Sequence, residues 1–190
     1  MDFREFNKRI QQYIYLVPLI QDILKPCPVY TFFLKLDVSM QYFTFELNPE
    51  SQKLCVISTP FGLYKYKCLP MGIKLSSDIN QEVMENLFHD LDKVEIYIDD
   101  IGCFSSNYKA HIQTLDKILT CLEQNRFTAN PSKCEWAVKE TDWLGYWLTP
   151  TGIKPWSKKI NTILDMQAPT NIKQVYSFIG AVSYYCDMWP

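Results

Sequence analysis

The sequence has few of the features that mark membrane, secreted or generically basic proteins. Its longest uninterrupted apolar run, Tyr13–Ile20, includes Pro18 and is too short to span a bilayer. The N-terminus has no apolar segment typical of a signal peptide. The seven cysteines include no C-x-x-C pair, and the two histidines are far apart in the sequence. This pattern predicts free thiols in a reducing compartment and argues against a zinc site.

The chain also has no excess of positive charge, because 19 Lys and Arg residues face 21 Asp and Glu residues and the formal net charge is −2. Only three of the cationic residues are arginines. The net charge of the whole chain therefore argues against a protein that binds nucleic acid nonspecifically through excess positive charge. The distribution is uneven, however. Residues 51–75 carry four lysines and no acid, whereas residues 76–100 carry eight acids and one lysine, a net charge of −7. A solvated helix face is a common reason for such an acidic block.

The composition is that of one folded domain, with 47% hydrophobic and 15% aromatic residues among 190. Alternating and helical apolar periodicities predict mixed strands and helices. The strands are predicted at Phe32–Val38, Tyr42–Leu47 and Leu54–Ser58, on both sides of an acidic turn within Val94–Phe104, and in a hairpin arm at Trp143–Leu148. The helices are predicted at about 77–90, with an apolar stripe of Ile79, Val83, Met84, Leu87 and Phe88, and at Ala110–Gln124, Ser157–Met166 and Asn171–Tyr185, the last with Thr170 as its N-cap.

The most informative stretch places two adjacent acids, Asp99 and Asp100, at the tip of an apolar hairpin. Such acids are costly in an apolar setting unless a cation meets them, and Mg²⁺ prefers oxygen ligands of this kind. Asp37 ends another apolar strand. If the two strands pair, three carboxylates come together and can hold two Mg²⁺ ions about 4 Å apart for phosphoryl transfer. The alternatives are a polar hairpin turn at the Asp pair and a strand-end cap at Asp37.

These residues belong to an ordered set of blocks that resembles the reverse transcriptases, most closely those of Ty3/gypsy-type long-terminal-repeat retrotransposons. The blocks span essentially the whole chain. They are Asp2–Lys8, Asp37, Thr59–Leu63, Leu69–Lys74, Tyr97–Asp100, Leu144–Leu148, Phe178–Gly180 and Tyr184–Tyr185.

The resemblance implies roles for particular residues. Asp37, Asp99 and Asp100 would be the catalytic, metal-binding triad for two Mg²⁺ ions, or Mn²⁺ in their place, with the Val38 carbonyl as a further ligand. Tyr42 would stand under the incoming sugar and exclude a 2′-OH; its alternative is a packed core aromatic. The remaining implied sites are a nucleotide pocket of Met71, Gly72, Lys74 and Ile98, a primer grip of Leu144, Gly145, Tyr146 and Trp147, and template–primer contacts from Lys65, Lys67, Lys158 and Lys159. A solvated basic face is an equally good interpretation of any one of Lys65, Lys67 and Lys74.

Some positions depart from the family pattern. Met71 stands where retroviral relatives often have Gln, a difference common among retrotransposon enzymes. Ser76-Ser77 replaces a small residue followed by Pro, and Asn80 stands where an apolar residue is usual. Gln41 and Thr44 also differ from the common pattern, and Cys186 stands where Arg is frequent. The family's triphosphate-gripping Lys and Arg precede the block at Asp2–Lys8, which weakens the expectation that this chain is active alone.

The resemblance implies an α+β fold, in which a ferredoxin-like antiparallel palm sheet is backed by helices. We expect a fingers remnant at 1–35, a palm at 36–150 with a fingers insertion at about 46–76, and a thumb start at 151–190.

The implied function is RNA-directed DNA polymerisation by an intracellular polyprotein, cytoplasmic or nuclear, without a membrane partner. Its partners would be an RNA or DNA template with primer, deoxynucleoside triphosphates, and RNase H and integrase domains outside this chain. Two alternatives remain open. One is a catalytically inactive nucleic-acid-binding remnant, and the other is a template-independent or RNA-synthesising palm polymerase, which Tyr42 disfavours.

Overall fold

A computed structural model describes residues 3–11, 13, 15–25, 27 and 30–188; Asp2 of the first block therefore lies outside the described residues. The helices are α1 (Arg4–Arg9), α2 (Ile20–Leu24), α3 (Pro49–Leu54), α4 (Ser76–Phe88), α5 (Tyr108–Gln124), α6 (Ser157–Leu164) and α7 (Ile172–Ser183). Short 3₁₀ helices span Gln41–Thr44 and Cys186–Met188. The strands are β1 (Phe32–Ser39), β2 (Val56–Thr59), β3 (Gly62–Lys65), β4 (Val94–Tyr97), β5 (Asp100–Ser105), β6 (Thr128–Ala129), β7 (Glu135–Val138), β8 (Thr141–Trp143), β9 (Tyr146–Thr149) and β10 (Gly152–Pro155).

The central sheet is antiparallel and has the strand order β4-β5-β1-β6, with β7 also paired to β1. With α4 after β1 and α5 after β5, this is the ferredoxin-like palm expected from the sequence. The other described strands form a three-stranded sheet, β10-β9-β8, and the β2-β3 hairpin.

The two faces of the central sheet have different partners because side chains alternate along β1. Leu34, Leu36 and Val38 pack with Ile118 and Leu122 of α5, and with the rest of one apolar cluster beneath the helices. On the opposite face, Phe33 belongs to a second cluster that includes Trp143, Tyr146 and Leu148 of the three-stranded sheet. Asp37 shares this second face by alternation, so it points away from the helices.

Gly102 permits the close contact between the two sheets. A Cβ atom built on Gly102 would lie 2.7 Å from a ring carbon of Trp143, closer than real Cβ contacts come. Trp143 is itself almost fully buried and packs edge-on against Phe104, with ring centroids 5.2 Å apart. The absence of a side chain at Gly102 therefore fixes where the second sheet docks.

Several predicted elements are correct in type and slightly shifted at their ends. The helices expected at about 77–90, Ala110–Gln124 and Ser157–Met166 are α4, α5 and α6. The N-cap of α7 is Asn171, whose side chain accepts from the Gln174 amide at 2.9 Å, and the prediction of Thr170 was wrong. Thr170 is instead bonded to the Gln174 side chain.

The strand predicted at Tyr42–Leu47 was wrong, and the one predicted from Leu54 begins two residues later. Met40 adopts a left-handed conformation (φ 49°), after which Gln41–Thr44 form a 3₁₀ turn. Asn48-Pro49 begins α3 and does not simply end a strand, because Asn48 accepts from the Ser51 amide at 2.7 Å and Pro49 occupies the first turn. Leu54 therefore ends a helix.

The apolar stripe predicted for α4 was only partly right. The buried residues of α4 are Ser76, Asn80, Gln81, Met84 and Phe88, whereas Val83 is exposed. The first half of the buried face is thus polar, and that half lies against the turn that carries Asp99. Of the described residues, no helix combines the length and apolar composition that crossing a bilayer requires. No disulfide links the seven cysteines, all of which the structure describes.

Candidate active site

The pairing of β1 with β5 brings two of the predicted acids together. Asp37 and Asp100 are direct cross-strand partners, so their side chains lie on the same face of the sheet. The Val38 amide donates to the Asp99 carbonyl at 3.4 Å, which holds the third acid beside the same strand end. The condition set by the sequence, that the strand of Asp37 pairs with the acidic hairpin, is therefore met.

Asp99 lies in a tight turn between β4 and β5 that α4 holds from below. Ile98 has a positive φ of 53°, unusual for a β-branched residue. The Ile98 amide donates to Gln81 Oε1 at 2.6 Å, and the Ile98 carbonyl accepts from Asn80 Nδ2 at 2.9 Å. The amide and the carbonyl of Ile98, whose backbone conformation is strained, are therefore each hydrogen-bonded to one of two adjacent α4 side chains, Gln81 and Asn80.

Burial is the main electrostatic influence on the two turn acids. It raises the pKa of Asp99, with a smaller contribution from the Asp37 carboxylate, although the nearby Tyr42 side chain lowers it. Burial likewise raises the pKa of Asp100, which Lys35 lowers and the charges of Asp37 and Asp99 raise further. Repulsion between the like charges is also present, but it is secondary to desolvation.

Asp37 has a cationic partner that the sequence did not reveal. Lys133 Nζ lies 3.1 Å from Asp37 Oδ2 and 3.4 Å from Oδ1. Lys133 belongs to the turn between β6 and β7, and the Asn130 amide donates to the Asp37 carbonyl at 2.9 Å, which holds this turn against β1. Neither short strand has a clear apolar period, so sequence alone gave no signal for this lysine.

The acid cluster has the chemistry of a divalent-metal site without a ready-made ligand shell. Among the described residues, no three Asp, Glu, His or Cys side chains converge as metal ligands. The residue types do suit Mg²⁺, because Asp37 and Asp100 pair across the strands next to Asp99 and carboxylate oxygens are hard ligands. Lys133 supplies part of the positive charge that a bound cation would supply.

Tyr42 lies beside the acids, as expected for a residue that lines the sugar site. Its side chain interacts with Ser77 and Asp99, and burial raises the pKa of its phenol. The left-handed turn at Met40 brings it there, because the chain reverses immediately after β1. Tyr42 therefore lies beside Asp99 because of this turn, and its role at a sugar site stays a prediction.

The predicted nucleotide floor is built by two separate sequence blocks. Asn7 at the end of the first block donates from Nδ2 to the Gly72 carbonyl at 2.8 Å, and its Oδ1 accepts from the Lys74 amide at 2.9 Å. Gly72 has φ 94°, a conformation that glycine adopts readily. Met71 and Lys74 are exposed.

The predicted primer grip is the turn between β8 and β9, and the C-terminal tyrosine pair holds it. Tyr184 Oη donates to the Leu144 carbonyl at 2.5 Å and Tyr185 Oη to the Gly145 carbonyl at 2.6 Å. Tyr146 Oη in turn donates to the Tyr184 carbonyl at 3.1 Å. Trp147 donates from its indole nitrogen to Glu140. Two blocks that lie 40 residues apart therefore form one unit.

The four lysines assigned to template and primer are all exposed. Lys65 and Lys67 belong to β3 and the segment after it, whereas Lys158 and Lys159 open α6. Lys158 lies over the Trp156 ring, 5.1 Å from its centroid, and Lys159 lines a cleft between α6, α7 and Gly145. The first pair belongs to a different part of the fold from the second, and no described contact joins either pair to the acids.

Comparisons with known proteins agree on one family. The sequence model of a family described as "Reverse transcriptase (RNA-dependent DNA polymerase)" matches residues 1–148. The Retrovirus-related Pol polyprotein from transposon 297 of Drosophila melanogaster is 29% identical over the whole chain, which covers 18% of that protein. The Transposon Tf2-3 polyprotein of Schizosaccharomyces pombe is 25% identical, and there the chain covers 14%. The chain thus spans less than a fifth of these relatives.

Solved structures share the fold. A foamy viral protease-reverse transcriptase in complex with double-stranded DNA has a TM-score of 0.92 at 20% identity, covering 97% of this chain and 32% of that one. A foamy viral protease-reverse transcriptase in complex with an RNA/DNA hybrid has a TM-score of 0.86 at 20% identity, covering 97% and 25% respectively.

Proposed function

Because this chain belongs to the reverse transcriptase (RNA-dependent DNA polymerase) family, we propose that it is the polymerase core of a retrotransposon polyprotein. Its reaction is the template-directed attack of a primer 3′-OH on the α-phosphate of a deoxynucleoside triphosphate. The observation that carries the proposal is the cross-strand pairing of Asp37 with Asp100 beside Asp99. The same proposal divides the chain into a fingers remnant at 1–35, a palm at 36–150 with a fingers insertion at about 46–76, and a thumb start at 151–190.

Asp37, Asp99, Asp100 and the Val38 carbonyl would hold two Mg²⁺ ions, or Mn²⁺. Such ions activate the attacking hydroxyl and stabilise the charge that develops on the leaving pyrophosphate. The protein's own contribution is mostly positioning. The rigid strand end fixes Asp37 and Asp100, and the bonds from Asn80 and Gln81 fix the turn that carries Asp99.

The other residues bind substrates in this proposal. Tyr42 excludes a ribose 2′-OH, and its contact with Asp99 supports a place beside the reacting centre. The nucleotide is bound by Met71, Gly72, Lys74 and Ile98, the primer by the turn at Leu144, Gly145, Tyr146 and Trp147, and the phosphates of template and primer by Lys65, Lys67, Lys158 and Lys159.

The partners are an RNA or DNA template with its primer, deoxynucleoside triphosphates, and the RNase H and integrase regions of the same polyprotein. The foamy viral relatives bound to an RNA/DNA hybrid or double-stranded DNA support the first of these. We place the activity inside the cell, in the cytoplasm or nucleus.

Primer extension tests the proposal. A labelled DNA primer on an RNA template should be extended with Mg²⁺ and not with EDTA, and Asp99→Asn should abolish extension while the circular dichroism spectrum is unchanged. Asp165→Asn, at an exposed acid just after α6, is the control and should extend as the wild type does. Equal extension by Asp99→Asn and wild type would refute the assignment.

A second candidate is an inactive remnant that only binds nucleic acid. The observation that favours it is the Lys133–Asp37 pair, which occupies a predicted metal ligand. Retained binding of a primer–template without any extension by the wild type would support this candidate.

A further inference from the structure

Asn80 is an unusual residue for its position. It lies on the buried face of α4, is fully buried, and interrupts a surface that packs against the central sheet. A buried amide without partners for all its polar atoms destabilises a fold, because its hydration is lost without replacement. Packing alone would therefore favour an apolar residue at this position.

The hydrogen bonds of Asn80 are used asymmetrically. Nδ2 donates to the Ile98 carbonyl at 2.9 Å and to Asp99 Oδ1 at 3.3 Å. Oδ1, which is equally buried, has no partner among the described residues. The unpaired Oδ1 of Asn80 thus destabilises the fold, whereas Nδ2 of the same side chain bonds both the Ile98 carbonyl and the Asp99 carboxylate.

The neighbouring Gln81 does not duplicate this contact. Its Nε2 donates to the Ile96 carbonyl at 2.8 Å and to Glu85 Oε1 at 2.6 Å, and its Oε1 accepts from the Ile98 amide at 2.6 Å. Gln81 therefore fixes the backbone of the turn. Of the two amides, Asn80 is the one that also bonds the Asp99 side chain.

We infer that Asn80 is a positioning residue whose side-chain amide sets the orientation of the Asp99 carboxylate toward a divalent cation. This inference rests on the proposed function, because it assigns that carboxylate to a metal site. By donating to Asp99 Oδ1, the Asn80 amide limits rotation of the carboxylate, to which the Tyr42 side chain is also hydrogen-bonded. Because the amide is neutral, it orients the acid without competing for the cation as the Lys133 ammonium does.

Asn80→Leu separates positioning from packing, because leucine has a similar size and removes both the donor and the unpartnered acceptor. Partners of ligands commonly change metal affinity or activity by about 10–100-fold when removed. We expect the apparent Kd for Mn²⁺, measured by electron paramagnetic resonance on the chain without substrates, to rise by about tenfold or more. The Tm should stay close to that of the wild type, because removing the unpartnered acceptor offsets the lost bond to the Ile98 carbonyl. In primer extension, kcat should fall while the KM for the nucleotide changes little.

Met84→Leu is the matched control, since it changes an apolar residue on the same buried face. It should leave Mn²⁺ affinity unchanged. An unchanged Kd in Asn80→Leu, or a loss of affinity accompanied by a lowered Tm, would overturn the inference and leave Asn80 a packing residue.

The outcome is separable from that of the proposed function. Wild-type chain that binds Mn²⁺ but extends no primer would refute polymerisation, while the comparison of Mn²⁺ affinities would still decide the role of Asn80. Wild-type chain that binds no Mn²⁺ would refute both.

Discussion

At the scale of single residues, buried polar groups distinguish this chain from a generic α+β domain. The meeting of the acids at 37, 99 and 100 could be predicted, because Asp37 follows an apolar run and the other two lie at the tip of an apolar hairpin. The groups that hold them could not, because Lys133 and Asn80 reach the acids only through tertiary packing. The family pattern did mark Asn80 as unusual, but it did not show that the amide contacts Asp99.

Tyr42 gives a residue-scale prediction about sugar choice. Exclusion by steric clash penalises the wrong substrate and does not strengthen binding of the right one. Tyr42→Ala should therefore increase ribonucleotide incorporation relative to deoxynucleotide incorporation by at least about tenfold. Tyr42→Phe should change the ratio little, because it keeps the ring and loses only the hydroxyl beside Asp99. Single-nucleotide incorporation kinetics measure both, and equal loss of the two activities in Tyr42→Ala would make the ring a packing residue.

His111 gives a prediction about pH. Its ring is buried against Phe32, both ring nitrogens lack partners among the described residues, and burial lowers its pKa below the ordinary 6.5. The unfolded chain therefore takes up a proton at a higher pH than the folded chain does. The stability that the neutral ring contributes is complete above about pH 6.5 and is lost as pH falls through the folded pKa, by at most about 1.4 kcal/mol per pH unit.

Chemical denaturation of wild type and His111→Leu between pH 5 and 8 measures this contribution. Burial raises the pKa values of Glu95, Asp99 and Asp100, so these acids stabilise the fold as pH falls. Their effect is the same in both proteins and cancels in the difference. The difference in unfolding free energy should change below about pH 6.5 and be constant above it. His89→Leu, at an exposed histidine that pairs with Asp90, is the comparison. A pH-independent difference for His111→Leu would contradict the prediction.

At the scale of elements, the apolar periodicity of the sequence predicted whether a segment is a helix or a strand better than it predicted where the segment begins and ends. The strand ending at Asp37 and the acidic hairpin alternate clearly, and both are correct. The sequence of Tyr42–Leu47 also alternates, yet Gln41–Thr44 form a 3₁₀ turn, because the left-handed residue Met40 redirects the chain into contact with α4 and Asp99. A local pattern does not encode that contact.

The turn between β8 and β9 gives the element-scale prediction. Gly145 has φ 82°, and a Cβ there would lie 3.0 Å from Tyr184 Oη. Gly145→Ala should therefore lower the unfolding free energy by about 1–2 kcal/mol and weaken primer–template binding. Gly180→Ala is the control, because this glycine lies within α7 and a Cβ there meets nothing within 4 Å. It should be neutral or stabilising by about 0.5–1 kcal/mol. Urea titrations compare them, and equal effects would contradict the assigned role of the turn.

At the scale of the whole molecule, a chain of net charge −2 has to bind a polyanion through local patches. Each lysine that contacts a phosphate should contribute about one unit to the slope of log affinity against log salt concentration. Lys158→Gln should reduce the slope by about that amount, as measured by fluorescence anisotropy with a labelled RNA/DNA hybrid. Lys117 is exposed on α5, which packs on the face of the sheet opposite the acids. Lys117→Gln should therefore leave the slope unchanged. Equal slopes in both variants would remove Lys158 from the binding surface.

The central claim, that the acid cluster copies an RNA template into DNA, is tested most directly by base selection. Four RNA templates that differ only in the first unpaired base are annealed to the same DNA primer, and each deoxynucleotide is supplied alone with Mg²⁺. We expect that the complementary deoxynucleotide is preferred on every template and that Asp99→Asn adds none. Addition of the same nucleotide whatever the template base, or addition by Asp99→Asn at the wild-type rate, would contradict it.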